Sequence, residues 1–154
     1  DPDAEVLENM TGTTPAAWND PTKGSELAQS QFDRGADVIF AAAGATGLGV
    51  LQTAADEGKL AIGVDSNQNY LHPGAMLTSM MKRVDVAVYN ALMTAKEGTW
   101  KPGIQVLGLA EDGVGFSVDE WNKDLLTEDM IAKLNAARND IIDGKIKVTN
   151  YMDQ

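Results

Sequence analysis

Four features of this sequence could act on a ligand: an indole, a glycine turn, a carboxylate and an ammonium group. Trp18 stands in a loop of small polar residues just before Asp20-Pro21. An indole there either packs on its own domain or stacks on a nucleobase, a contact worth ~1–3 kcal/mol. Gly44-Ala45-Thr46-Gly47-Leu48-Gly49 follows an apolar run. Glycines at a strand-to-helix turn let backbone N–H groups approach a ligand oxygen, with a helix N-terminus behind them. The other reading is glycine used only for tight helix–strand packing. Asp65 ends a second apolar run. As an ion it only accepts hydrogen bonds, and it can take two sugar hydroxyls at once; otherwise it is the turn residue of Asp65-Ser66-Asn67. Lys82, in Lys82-Arg83, is either solvated, as most such pairs are, or directed into a cleft as a hydroxyl donor.

The glycine turn with Asp65 downstream also suggests a dinucleotide site, where an acid roughly 20 residues on holds a ribose. The spacing here is G-x-x-G-x-G and not G-x-G-x-x-G, and there is no Tyr-x-x-x-Lys pair. A nicotinamide-dependent oxidoreductase is therefore the rival, weakly supported. No nucleophile–base pair stands out, since the serines are scattered and His72 is the single histidine. The chain has no cysteine, which excludes disulfides, thiolate chemistry and a cysteine zinc site. Neither a metal nor a cofactor is expected.

Those residues need elements to position them, and 154 residues suffice for one ordinary domain. Apolar residues make up 44 % and charged residues 23 %, so a packed core is expected. The formal charge of −11, spread along the chain, argues against a nucleic-acid partner and against anionic lipid. No 18-residue apolar run is present to span a bilayer. The start at Asp1-Pro2-Asp3, leading straight into an apolar segment, reads as an interior point, so a processed or truncated piece is expected.

Short β-type runs alternate with helical ones, the pattern of an α/β domain with a parallel sheet. Expected strands are Glu5–Asn9, Asp37–Ala43, Leu60–Val64, Ala75–Met81, Ile104–Leu109 and Val114–Ser117. The first helix opens at Asp20-Pro21 and stops at Gly35; its apolar positions are Leu27, Ala28 and Phe32. The second runs to about Glu57 with Leu51, Ala54 and Ala55 on one stripe. The third covers Val84–Glu97, its stripe Val84, Val88, Ala91, Leu92 and Ala95. Thr127 caps the last, which turns Met130, Leu134, Ala137 and Ile141 inward. Trp100, Trp121 and the Met80-Met81 pair read as packing residues. Ligands of open α/β sheets lie beyond the carboxyl ends of the strands, and Trp18, Gly44–Gly47, Asp65 and Lys82 each follow one.

The strings Trp-Asn-Asp-Pro (18–21), Gly-Ala-Asp-Val-Ile-Phe-Ala-Ala-Ala-Gly-Ala-Thr-Gly-Leu-Gly-Val (35–50), Gly-Val-Asp-Ser-Asn-Gln (63–68) and Thr-Ser-Met-Met-Lys-Arg-Val-Asp (78–85) closely resemble the basic membrane protein family, the substrate-binding lipoproteins of ABC importers that include the purine nucleoside receptors. The likeness runs along essentially the whole chain but matches only the later half of such proteins. It implies a parallel-sheet, Rossmann-like lobe of a type I periplasmic binding protein, two such lobes closing on a ligand without chemistry. It further implies that Trp18 stacks on a purine, although the family's usual aromatic there is Phe. Gly44, Asp65 and Lys82 match positions that contact the ligand, mainly its ribose. The implied ligand is a purine nucleoside of the adenosine, guanosine or inosine class, and the implied partner is an ABC permease. The full-length protein would be extracytoplasmic and lipid-anchored. Residues 1–74 would form an incomplete C-terminal lobe, lacking its opening strand and helix. Residues 75–100 would pack on the N-terminal lobe, and 101–154 would return through a hinge near Asp112. The apolar stripe of that middle segment is then expected to lack cover in a simple monomer, and to need the missing lobe or a second copy of the chain.

Overall fold

The computed structural model describes residues 3–150; the outermost ends of the expected first and last segments, 1–2 and 151–154, lie outside them. Three parallel strands form the centre: β1 (Val38–Phe40), β2 (Leu60–Gly63) and β3 (Met76–Lys82), in that order. A fourth, β4 (Val114–Phe116), joins β3 antiparallel. The expected α/β class is borne out, with the parallel sheet closed at one edge by a reversed strand.

Helices α1 (Pro21–Asp33) and α2 (Gly47–Asp56) lie together on one face of the sheet. Asp20 starts α1 as expected, its carboxylate accepting from the Lys23 N–H at 2.9 Å. The two helices approach closely because glycine stands at both contacts. A Cβ on Gly24 would collide with the Thr46 carbonyl oxygen, and one on Gly49 with that of Pro21. Beneath them, Ala28 and Phe32 meet Ile39, Ala41, Leu51, Ala54, Ala61 and Met76 in a single apolar core. Leu51 and Met76 are wholly buried. Each stabilises the fold by about 1.5–3 kcal/mol relative to an exposed side chain.

On the opposite face of the sheet β1 is open. Val38 and Phe40 alternate with buried Ile39 along β1 and remain exposed. Helix α3 (Val84–Glu97) buries none of its residues, and neither does α4 (Glu128–Ile142). The α3 stripe lies open at Val84, Val88 and Leu92, without cover from the rest of the described chain. On α4, Ile131, Leu134, Ala137 and Ile141 line a groove of about 780 Å³ above Met80, Met81 and Phe116. Met130, expected inward, is instead exposed. Met80 and Met81 are half-buried walls of that groove and not core.

Two expected strands are absent. Glu5–Asn9 and Ile104–Leu109 pair with no neighbour in the described chain, and β-rich sequence without a ladder partner is only extended loop. Ile104 and Val106 are almost fully exposed. Trp100 and Trp121, expected to pack, are also exposed, and neither joins the apolar core.

Candidate functional site

Trp18 closes a one-turn 3-10 helix, Pro15–Trp18, that leads into α1 through Asn19 and Asp20. The residue is 60 % exposed, so it is not part of the core of this domain. The turn is held from the other side of the site by Thr46, which is wholly buried. The Thr46 hydroxyl donates to the Ala17 carbonyl oxygen at 2.7 Å and accepts from the Asp20 N–H at 2.7 Å.

Gly44 begins a second 3-10 turn, Gly44–Thr46, immediately before α2. Its φ of 56° is in the left-handed region, where a side chain is strained. A Cβ there would also stand 3.1 Å from the Trp18 carbonyl oxygen and 3.4 Å from Cε3 of the indole. Glycine at 44 is thus what allows the Trp18 loop to lie against this turn.

Across from that turn, β2 ends at Gly63, and Asp65 follows with φ of 68°, an uncommon conformation for a residue bearing a Cβ. Asp65 is fixed to the end of β3 twice. Its carbonyl oxygen accepts from the Lys82 N–H at 2.8 Å, and its carboxylate pairs with Lys82 Nζ at 2.8 Å. Both side chains are more than half exposed, so each keeps solvent-facing capacity for a further partner. Gly44, Ala45, Leu48, Val64, Asp65, Ser66 and Gln68 together line a hollow of about 330 Å³.

The four residues singled out by sequence are therefore brought together in series. Trp18 lies on Gly44, Gly44 and Asp65 share one hollow, and Asp65 holds Lys82. Topology gathers three of them, since Gly44 and Asp65 follow β1 and β2 and Lys82 ends β3. Trp18 follows no strand and is brought to this edge by the bonds of its turn to Thr46.

The Asp65 turn is braced by a polar knot that sequence reasoning missed. Gln68 Oε1 accepts from the Val64 N–H, and the Gln68 N–H donates to Ser79 Oγ. Ser79 Oγ donates to Asn69 Oδ1, while Asn69 Nδ2 donates to Ser117 Oγ and to Asp119. Asn69, Ser79 and Asn122 are wholly buried. Burial alone would raise the Asp119 carboxyl. Hydrogen bonds from Asn67, the Trp121 N–H and Asn69 outweigh it and hold the group below the usual carboxylate range. Ser79 and Ser117 fell within expected strands, and nothing local in the sequence shows the partners that these Ser, Asn and Asp side chains take.

An indole face, a carboxylate, an ammonium group and backbone at a helix start can hold a small polar molecule with an aromatic portion. They do not assemble a nucleophile with a base. Among the described residues no three His, Cys, Asp or Glu side chains are grouped to hold a metal ion, and no helix is long and apolar enough to cross a membrane. His72 caps a short turn and is remote in role from this set.

A family model described as the PnrA-like ABC transporter substrate-binding proteins, Bmp, matches residues 1–151. Basic membrane protein D of Borreliella burgdorferi is 36 % identical over 148 residues, covering 94 % of this chain and 42 % of that protein. An uncharacterized lipoprotein of Pyrococcus abyssi is 38 % identical over 126 residues, covering 78 % of this chain and 29 % of that protein. The chain thus spans less than half the length of these relatives. Among solved structures, an ABC transporter system solute-binding protein from Aeropyrum pernix K1 superposes with a TM-score of 0.71 at 29 % identity, over 92 % of this chain and 47 % of that one. One from Conexibacter woesei gives 0.75 at 22 % identity, over 97 % of this chain and 48 % of that one, a likeness of fold.

Proposed function

This chain belongs to the Bmp family of PnrA-like ABC transporter substrate-binding proteins, and from that premise we propose that it supplies one jaw of a receptor that closes on a purine nucleoside. The observation that carries the reading is the series Trp18–Gly44–Asp65–Lys82, in which Gly44 and Asp65 line one hollow, Trp18 lies against Gly44 and Lys82 pairs with Asp65. The purine stacks on the indole of Trp18, an exposed residue. The ribose hydroxyls take Asp65 as acceptor and Lys82 as donor, a pairing for which a carboxylate and an ammonium group are suited. Gly44 lets the sugar approach the backbone at the start of α2.

In this reading residues 1–74 and 101–154 form the C-terminal lobe together with β3, the part of 75–100 that lies in this sheet with Met76 in its core, and only α3 packs on an N-terminal lobe. No bond in the ligand changes. Closure is a population shift, so the nucleoside must bind the closed form more tightly than the open one. The closed form then presents itself to a membrane permease. The full-length protein is extracytoplasmic and lipid-anchored, in keeping with relatives named as lipoproteins.

Calorimetry and tryptophan emission on the full-length protein test this, with guanosine, adenosine and inosine against free ribose and NAD. A nucleoside is expected to release heat and quench emission. Trp18→Ala should weaken binding by the worth of a stacked base, ~1–3 kcal/mol or roughly 5- to 150-fold. Absence of a response to every nucleoside would end the reading. Retention of NAD, or ribose binding as tightly as a nucleoside, would replace it with a dinucleotide or a sugar site.

A further inference from the structure

We propose that Thr46 is a positioning residue that sets the orientation of the Trp18 indole through its hydroxyl; the claim rests on the reading of Trp18 as the stacking surface. The indole needs such a device. Trp18 is 60 % exposed, so packing by itself does not fix its ring. The turn that carries it, Pro15–Trp18, is a single 3-10 turn with no side-chain cap. Short turns of that kind hold their shape only when tertiary contacts hold it for them.

Thr46 supplies those contacts on both sides of Trp18. Its hydroxyl donates to the carbonyl oxygen of Ala17, the residue before, and accepts from the N–H of Asp20, two residues after. Both bonds are 2.7 Å long, and the hydroxyl that makes them is wholly buried. Only a group that donates and accepts at one atom can do this, which valine, of the same shape, cannot. Thr46 itself has no room to drift, because its carbonyl oxygen lies in the space that a Cβ on Gly24 of α1 would occupy. On the other flank Gly44 leaves room for the Trp18 main chain, whose carbonyl oxygen lies 3.1 Å from where a Cβ on Gly44 would be. The turn Gly44-Ala45-Thr46-Gly47 therefore does two jobs at two positions: glycine admits the Trp18 turn and threonine aims the indole. A ring aimed before the ligand arrives loses less freedom on binding, so the hydroxyl contributes affinity without touching the ligand.

Two pairs of variants of the full-length protein isolate the hydroxyl: wild type against Thr46→Val, and Thr46→Ser against Thr46→Ala. The readouts are the 19F spectrum of 5-fluorotryptophan-labelled protein, with the Trp18 resonance identified by its loss in Trp18→Phe, and guanosine affinity. Thr46→Val and Thr46→Ala should shift or broaden the Trp18 resonance and weaken binding roughly tenfold, while Thr46→Ser stays within about twofold of wild type. Unchanged Trp100 and Trp121 resonances report an intact fold. Should Thr46→Val not fold, the serine–alanine pair, which adds no bulk, decides. A Trp18 resonance that stays in place without the hydroxyl, or one that moves as far in Thr46→Ser as in Thr46→Ala, overturns the proposal. If no nucleoside binds the wild type, the purine reading falls while the resonance still decides whether Thr46 aims the ring.

Discussion

Helices α2 and α3 carry the same kind of local code and meet opposite fates. Each has an apolar stripe at helical spacing. In α2, Val50, Leu51 and Ala54 are buried; in α3, Val84, Val88 and Leu92 are more than half exposed. α3 has local signals of its own, with Asp85 in its first turn and Gly98 at φ 72° as its left-handed stop, although Arg83 at its start makes no side-chain cap. What α2 has and α3 lacks is an opposing surface, given to α2 by Ile39, Ala61 and Met76. A stripe therefore states what a helix needs and does not say whether the need is met. The difference should be largest in stability. Denaturant unfolding of the 154-residue polypeptide is expected to lose ~2–5 kcal/mol for Leu51→Ala. Leu92→Ala should stay within ~0.5 kcal/mol. Equal losses would show that α3 is covered after all, and a large Leu92→Ala loss confined to the full-length protein would identify residues beyond this chain as the cover.

Glycine draws the same contrast on a smaller scale. At Gly49 an added Cβ would collide with the Pro21 carbonyl oxygen and stand 2.8 Å from Ser25 Oγ. At Gly115 in β4 it would meet nothing within 4 Å. Gly49→Ala is expected to cost ~1–3 kcal/mol through overpacking of the α1–α2 crossing. Gly115→Ala should leave the unfolding midpoint nearly unchanged, within ~0.5 kcal/mol. A tolerated Gly49→Ala would mean that the two helices can separate without loss, and the division between closed and open regions would weaken.

Helices were legible in the sequence because caps, stops and 3.6-residue spacing are local properties. Strands were legible only where a neighbour exists: Leu60–Val64 pairs on both sides, whereas Glu5–Asn9 and Ile104–Leu109 have the composition without the partner. The aromatic rings went wrong for a related reason, since Trp100 and Trp121 were assigned a packing role with no surface known to receive them. Of the site candidates, Gly44 and Asp65 follow β1 and β2 and Lys82 ends β3, so topology gathers those three at one edge, while Trp18 is brought to them by the bonds of its turn to Thr46. Their supports were hidden, because the bonds that provide them join residues 29 apart, as in Thr46 to Ala17, or 50 apart, as in Asn69 to Asp119. A threonine between two glycines gives no sign of a partner so far along the chain.

The polar groups around Asp65 divide in the same way, into a braced knot and an open ion pair. In the knot, Asp119 has its carboxyl held below the ordinary value by the hydrogen bonds that outweigh its burial. The unfolded chain then binds the proton more readily than the folded one, so this stabilisation is complete above an ordinary Asp pKa of about 3.9 and is lost as pH falls through the lower folded value. Asp119→Asn should be less stable than wild type near neutral pH, and unfolding curves taken at successively lower pH should bring the two together. A gap that persists or widens in acid would mean that the carboxylate charge is not what braces the turn.

The smallest effect on stability is expected at Lys82, where it separates a binding role from a structural one. Lys82 Nζ and Asp65 are 2.8 Å apart, but both side chains are more than half exposed. Pairs of that kind contribute ~0–1 kcal/mol, because water competes for both ions. The main-chain bond from the Lys82 N–H to the Asp65 carbonyl oxygen does not depend on the side chain and survives its replacement. Lys82→Met, which keeps the aliphatic stem, should therefore leave the unfolding midpoint within ~0.5 kcal/mol of wild type. If Lys82 donates to the ligand, the same variant should weaken nucleoside binding by roughly tenfold, about the worth of one hydrogen bond made to a charged group. The two measurements together are decisive. Lost stability with retained affinity would make Lys82 a brace for the Asp65 turn, leaving the carboxylate to hold the sugar without it.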